Sequence, residues 1–215
     1  MSSKFRVVLM SILACLVFTS SVLYLHNIQK KTQPTSMRIS GSIPYYAPNE
    51  LSGLADLIVE GNVVSISPGR WNTNDGKKPD KISINDIIYQ EISINVQNVL
   101  KGTTNVDSVL KVYSHEGTDE SGFSVFSDAE PKFTVGENVL LFLSKDNTIY
   151  NKLKSNDHYV VTGLILGKYD IKNGIATNEY TKDKKSISLN DLRALVKSNV
   201  NTKLPQPPPG VKLEN

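Results

Sequence analysis

A stretch of nearly strict alternation between apolar and polar residues, residues 88–96, constrains the fold more than any other part of this chain. One face carries Ile88, Ile92, Ile94 and Val96, with Gln90 as its one polar exception. The other face carries Tyr89, Glu91, Ser93 and Asn95. A period of two in a segment rich in β-branched residues is typical of a half-buried β-strand. The sequence therefore predicts a long strand that ends near Gly102, where glycine permits a turn.

Several other segments are short and apolar and are separated by turn residues. The first predicted strand covers residues 55–66; Leu57, Val59 and Val63 share one of its faces, and Gly61 marks a bend. A loop over residues 67–82 joins it to the alternating strand as a hairpin with a long excursion. Further strands are predicted at residues 108–113, 122–126, 139–143 and 158–166, and a hairpin is predicted at residues 168–178.

Helical signals are confined to two short segments. Residues 47–54 predict one turn of helix, with Leu51 and Leu54 facing the core. Ser188 begins an amphipathic helix with a capping-box-like start. Its predicted buried stripe is Leu189, Leu192, Leu195 and Val196. Short strands, an early strand bent at a glycine and one C-terminal helix predict a mainly β protein, a small closed OB-like β-barrel.

The N-terminal segment has the pattern of a membrane anchor. Residues 1–6 are short and basic, and residues 7–25 are apolar apart from one threonine and three serines. Nineteen helical residues span about 28 Å, close to the thickness of a bilayer core. We therefore predict an uncleaved signal-anchor, a single transmembrane helix. A signal peptide cleaved after residues 19–21 and a lipoprotein acylated on Cys15 are the alternatives.

Charge and cysteine content bear on location and partners. The chain has a formal net charge of +3, but residues 1–38 hold five basic residues and no acid, which leaves 19 basic and 21 acidic residues for the remainder. The near-neutral remainder lacks the basic footprint of a nucleic-acid binder, and its strands offer few outward aromatic residues for stacking on bases. Cys15 is the only cysteine, so one chain cannot form an internal disulfide.

These patterns divide the chain into four parts. Residues 1–31 form the signal-anchor and residues 32–46 a flexible linker. Residues 47–200 form the OB-like β-barrel domain with its C-terminal helix. Residues 201–215, which include four of the ten prolines, form a disordered tail.

Three short motifs carry a resemblance to known domains. They are residues 54–61, beginning Leu54-Ala55-Asp56; residues 99–102, ending Lys101-Gly102; and residues 133–143, with Gly136-Glu137 before an apolar run. This pattern resembles uncharacterised bacterial exported domains and the OB-like barrels of tissue inhibitors of metalloproteinases and netrin-like modules (TIMP/NTR-like). The resemblance implies a fold and an extracellular setting. It implies no protease inhibition, because those inhibitors chelate zinc through an N-terminal cysteine and this domain has none.

Aromatic residues outside the strands are the candidates for partner recognition. Trp71 is the only tryptophan and lies in the long loop of the first hairpin, and Tyr45 and Tyr46 precede the short helix. Large aromatic residues often dominate the energy of a contact surface. A tryptophan in a long loop can equally fold back as a plug of the core, so both interpretations of Trp71 stay open.

The acidic loop over residues 115–130 is the candidate for chemistry. His115, Glu116, Asp119 and Glu120 are weak metal-ligand candidates, since their spacing fits neither a zinc signature nor an EF-hand. His158 begins a strand and is read as a structural polar residue. No nucleophile with a positioned base is evident, so we expect no catalysis and no cofactor.

Together these patterns predict a membrane-anchored extracytoplasmic binding module for a protein or an envelope component, with no nucleic-acid partner. It is held in the cell membrane by a single pass. The alternative location is secretion after signal-peptide cleavage. The alternative function is a metal-dependent enzyme, or a calcium- or zinc-binding protein, that uses the 115–130 loop.

Overall fold

The computed structural model describes residues 36–41, 43–152, 154, 157–180 and 186–202. The predicted signal-anchor, the first residues of the linker and most of the proline-rich tail lie outside this range. Within the range, no helix combines the length and the apolar content needed to cross a membrane.

Twelve strands, two α-helices and one 3-10 helix make up the described part of the chain. The strands are β1 (Ser36–Ile39), β2 (Leu57–Ile66), β3 (Arg70–Trp71), β4 (Ile88–Lys101), β5 (Val109–Ser114), β6 (Gly117–Thr118), β7 (Ser124–Ser127), β8 (Asn138–Lys145), β9 (Tyr159–Val161), β10 (Lys168–Lys172), β11 (Ile175–Thr177) and β12 (Ser186–Ser188). The helices are α1 (Pro48–Leu54) and α2 (Leu189–Asn199), and the 3-10 helix is Leu164–Gly167.

Five of these strands close into a barrel. Around the barrel, β2 pairs with β4, β4 with β5, β5 with β9, β9 with β8, and β8 again with β2. The β5–β9 pair is parallel, with Val112 opposite Tyr159, and the other four pairs are antiparallel. Closure leaves no unpaired barrel edge. The predictions of a mainly β fold, a closed barrel and a C-terminal helix are confirmed.

The alternation in β4 determines which side chains fill the barrel. Ile92, Ile94 and Val96 are at most 1% exposed and join one apolar cluster with residues of β2, β5, β8 and β9. Gly61 lies where β2 shifts register against β4. A side chain there would meet the Asn95 carbonyl oxygen at 2.5 Å, so only glycine allows the two strands to approach this closely.

Residues 139–143 of β8 form an unbroken apolar run because the strand is buried on both faces. Val139, Leu141 and Leu143 point into the barrel, whereas Leu140 and Phe142 point outward into a second core. A strand buried on both faces loses its alternation. The second core lies beneath α1, α2 and the β10–β11 hairpin, and it includes Leu51, Ile58, Tyr169, Leu192 and Val196.

Capping and ionic contacts fix the two helices. Ser188 caps α2 by accepting a hydrogen bond from the Asp191 N–H, as its sequence pattern predicts. Arg193 of α2 donates to both carboxylate oxygens of Glu60 on β2 at 2.6 Å. This bidentate pair ties the helix to the barrel, and Glu60 itself is only 5% exposed.

Two details of the predicted elements are wrong. Leu54 is 42% exposed, because α1 turns only Leu51 into the core. The last barrel strand ends at Val161, not at residue 166. Gly163 and Leu164 have φ values of 72° and 57°, which an extended strand cannot contain, and the chain continues as the 3-10 helix.

A second, three-stranded sheet lies beside the barrel. Strand β1 pairs in parallel with β7, and β7 pairs with β6. The predicted linker over residues 32–46 thus contains a strand at Ser36–Ile39, all of it exposed. The 115–130 segment is a β-hairpin, not an open loop, because Gly117–Thr118 pairs with Ser124–Ser127.

Candidate functional site

A cleft lies on the outer face of β4 and β5. Two long connections flank it: residues 67–87 between β2 and β4, and residues 146–158 between β8 and β9. The lining residues are Asn72, Ile87, Tyr89, Tyr113, His115, Asp146, Tyr150, Asn151, Lys152 and His158. Its open space is about 40 Å³, little more than the volume of one molecule of liquid water, so a larger ligand requires the rim to move or binds across the opening.

Three stacked rings form one wall of the cleft. The rings of Tyr89 and Tyr113 lie 4.5 Å apart and 16° from parallel, and the His158 imidazole lies 3.8 Å from Tyr113 at 12°. Tyr89 and Tyr113 face outward because their neighbours Ile88 and Val112 face inward. Burial raises the pKa of the Tyr113 phenol above its usual range, helped by the nearby Tyr89 and Glu91.

His158 carries a carboxylate on each ring nitrogen. Its Nε2 lies 2.9 Å from Asp146 Oδ2, and its Nδ1 lies 3.2 Å from Asp157 Oδ1. Because an ionised carboxylate only accepts hydrogen bonds, this arrangement favours the imidazolium form, in which both ring nitrogens carry hydrogen. Burial opposes this charge, but the bonds to Asp146 and Asp157 outweigh it and raise the pKa of His158 above its ordinary value.

Asp146 is held in its charged form by the same contacts. Burial alone would raise its pKa, but hydrogen bonds from His158 and from the hydroxyl and N–H of Thr148 lower the pKa to about 2. A buried ion pair therefore closes the base of the 146–158 connection, which carries the rim residues Tyr150 and Lys152.

Asn72 and Lys152 join the two connections across the cleft. The Asn72 amide donates to the carbonyl oxygens of Asn85 at 2.8 Å and Tyr150 at 2.9 Å, and it accepts from the Ile87 N–H at 3.0 Å. Lys152 forms an ion pair with Asp86. These bonds preorganise the rim, since they fix loops more than 60 residues apart in sequence.

The structure places the Trp71 side chain inside the protein. It is 1% exposed and packs with Ile88, Phe123 and Val125. Its indole N–H donates to Asp119 Oδ2 at 2.8 Å. Of the two interpretations left open, burial fits the core plug.

Tyr45 and Tyr46 do not join Trp71 in one surface. Tyr46 packs against the second core, whereas the Tyr45 ring is 61% exposed. Trp71 belongs to a separate apolar cluster. Tyr45 is therefore the most exposed of the three, and its role in binding stays a prediction.

The four weak metal candidates point to different partners. His115 Nδ1 lies 3.3 Å from Glu130, and Glu116 pairs with Lys132. Asp119 accepts the N–H groups of Ser121 and Phe123 and so shapes a turn. Glu120 is exposed. Among the residues that the structure describes, no three His, Cys, Asp or Glu side chains converge as a metal site.

Sequence reasoning missed the cleft and its main residues. Tyr89 falls among the outward polar positions of the alternating stretch, no sequence pattern singles out Tyr113, and the expectation of few outward aromatics is wrong at the β4–β5 pair. His158 was read alone, although Asp157 beside it and Asp146 twelve residues earlier are its partners. An Asp-His dipeptide at the start of a strand is the one local signal that pointed there.

The comparisons with known proteins assign no family. No protein-family model matches the sequence, and no curated protein matches it. The function therefore has to be argued from the cleft itself.

Proposed function

We propose that this protein is a membrane-anchored, extracytoplasmic binding module with an OB-like, TIMP/NTR-like barrel. Its predicted signal-anchor at residues 1–31 holds it in the cell membrane. The cleft beside Tyr89 and Tyr113 takes a protein segment or an envelope component. No catalysis and no cofactor are part of the proposal.

The position of the cleft is the observation that carries this proposal. OB-fold barrels bind their ligands on the face of the second and third strands, between the first–second and fourth–fifth connections. In this barrel those strands are β4 and β5, and those connections are residues 67–87 and 146–158. The strand order 1-2-3-5-4 and the bent first strand with Gly61 also support an OB-like barrel.

The chemistry of the cleft favours binding over catalysis. A general base needs a ring nitrogen that is free to accept a proton, and both nitrogens of His158 already bond to carboxylates. Ligand pockets are instead lined mainly by apolar and aromatic side chains with a few polar groups. The cleft has this composition, with an aromatic wall and amide and ammonium groups at its rim. Because the ion pairs His158–Asp146 and Lys152–Asp86 are internally neutralised, the chemistry fits an uncharged or weakly charged ligand.

The test is capture of a partner from solubilised membranes by the immobilised full-length protein. Tyr150→Ala removes a rim ring and keeps the backbone carbonyl that Asn72 uses. Tyr180→Ala is the matched control, since Tyr180 is 40% exposed and does not line the cleft. We expect the first variant to retain at least tenfold less partner and the second to retain the wild-type amount.

Equal capture by the two variants would reject the cleft as the binding site. Tyr45→Ala in the same assay tests the remaining candidate from the sequence. Calorimetric titration with calcium and zinc addresses the alternative function, since stoichiometric heat that Glu116→Gln abolishes would favour a metal protein. Mass spectrometry of the mature N-terminus tests the anchor: a start near Val22 or a lipid on Cys15 would exclude it.

A further inference from the structure

A second cavity lies at one end of the barrel interior. It is lined by Ile66, Gln90, Ile92, Ser114, Glu116, Lys132 and Phe133, and its volume is about 260 Å³. Gln90 and Ser114 continue the inward-facing rows of β4 and β5, so the polar exception in the alternating stretch belongs to this cavity. The walls are therefore apolar toward the barrel core and polar toward its mouth.

Glu116 presents an unused carboxylate oxygen at this site. The residue is 8% exposed. Its Oε2 accepts from Lys132 and from the Ser127 N–H at 3.3 Å. Its Oε1 accepts no hydrogen bond from any described residue. Since no fully buried polar side-chain atom of the described residues lacks a partner, this oxygen is open to the cavity. An open carboxylate oxygen takes its donors from solvent or from a ligand, so a ligand that donates to it replaces solvent at no loss of hydrogen bonding.

The surrounding charges favour a donor that is itself positive. Glu130, 6% exposed, accepts from the hydroxyl of Ser114, a residue that lines the cavity, at 3.1 Å. His115 contacts the other oxygen of Glu130 at 3.3 Å. Lys132 offsets one of the two carboxylates, and its side chain is 51% exposed.

We propose that the barrel mouth binds a small amphipathic amine. Its ammonium group donates to Glu116 Oε1, and its short apolar body lies against Ile66, Ile92 and Phe133. The volume corresponds to about nine molecules of liquid water, which suits an organic molecule of similar heavy-atom count. This site is separate from the outer cleft and does not depend on the proposed function.

The experiment is methyl NMR of the full-length protein labelled at isoleucine, titrated with n-hexylammonium. The Ile66 and Ile92 methyl signals should shift and saturate, and that of Ile187 in the second core should not. n-Hexanol and hexanoate are the matched probes, since they share the apolar chain and lack the positive charge. We expect each of them to bind at least tenfold more weakly than the amine.

Two variants connect the binding to Glu116. Glu116→Gln keeps the size of the side chain and removes its charge, and it should weaken the amine at least tenfold. Glu120→Gln, an exposed carboxylate of the same hairpin, should change the affinity less than twofold.

Three results would overturn the proposal. They are the absence of saturable shifts at Ile66 and Ile92, equal binding of the amine and hexanoate, and unchanged amine binding in Glu116→Gln. Should Glu116→Gln fail to fold, the comparison of the three probes on the wild-type protein decides alone.

Discussion

The barrel interior and the outer cleft share strands β4 and β5, but different interactions hold them. Inward residues such as Ile94 and Val112 are buried apolar side chains from neighbouring strand positions. Outward residues such as Tyr113 depend on His158 and Asp146, which come from a distant connection and carry charge. One step along a strand thus separates the residues that fill the barrel from the residues that line the cleft.

The largest expected effect tests the register on which this comparison rests. Ile94 is fully buried, so Ile94→Asp places an uncompensated carboxylate in the barrel, at a cost of several kcal/mol out of a typical total of about 5–15 kcal/mol. We expect circular dichroism to show an unfolded domain. Asn95→Asp, one residue further and on the outer face, should melt close to the wild type. Similar melting of both variants would show that the facing of β4 is misassigned.

The next effect concerns Trp71, which lies in a connecting loop and yet is packed like the core. Trp71→Ala removes a fully buried ring and its bond to Asp119, and should cost about 3–5 kcal/mol. Thermal denaturation measures the loss. As a control, Tyr45→Ala removes an exposed ring and should leave the melting temperature unchanged. An unchanged melting temperature in Trp71→Ala together with lost partner capture would restore Trp71 as a recognition residue.

The same comparison explains what could be predicted from the sequence. The alternation around Ile94 and the cap at Ser188 are local patterns, and local patterns predict strands, helices and their buried faces. The cleft depends on contacts such as His158 with Asp146, and on Asn72 joining two loops far apart in sequence. Neither contact has a period or a fixed spacing, so only the three-dimensional arrangement shows it. Gln90 is predictable in part. The alternation marks it as a polar exception, but only the structure shows the cavity that it lines.

A smaller effect is expected from the ion pair at the base of the cleft, and it depends on pH. The raised pKa of His158 means that its contribution is complete below about pH 6.5, the unfolded value, and is lost as pH rises through the folded pKa. The Asp146 pKa of about 2 means that its contribution is present above about pH 4 and is lost as pH falls toward 2.

The pair should therefore stabilise the protein most between about pH 4 and pH 6.5. His158→Gln should lower the free energy of unfolding by about 2–3 kcal/mol at pH 6. Above that pH, the free energy of unfolding of the variant should fall less steeply than that of the wild type. Urea denaturation at a series of pH values gives both quantities. A wild-type profile that does not decline above pH 6.5 would show that His158 is not held as an imidazolium.

The smallest effect comes from Lys111, an outward lysine of β5 at the edge of the cleft. Its ammonium lies 3.3 Å from Glu91 and 4.0 Å from Asp157, the second carboxylate on His158. Because this pair is largely exposed, Lys111→Met should change the unfolding free energy by less than about 0.5 kcal/mol. It should nonetheless move the pH range in which the unfolding free energy declines to higher pH. The variant removes a positive charge near His158 and frees Asp157 to interact with the imidazolium. Lys172→Met, on the β10–β11 hairpin, is the control and should leave the profile in place. A downward shift in Lys111→Met would mean that Asp157 contacts His158 only while Lys111 holds it there.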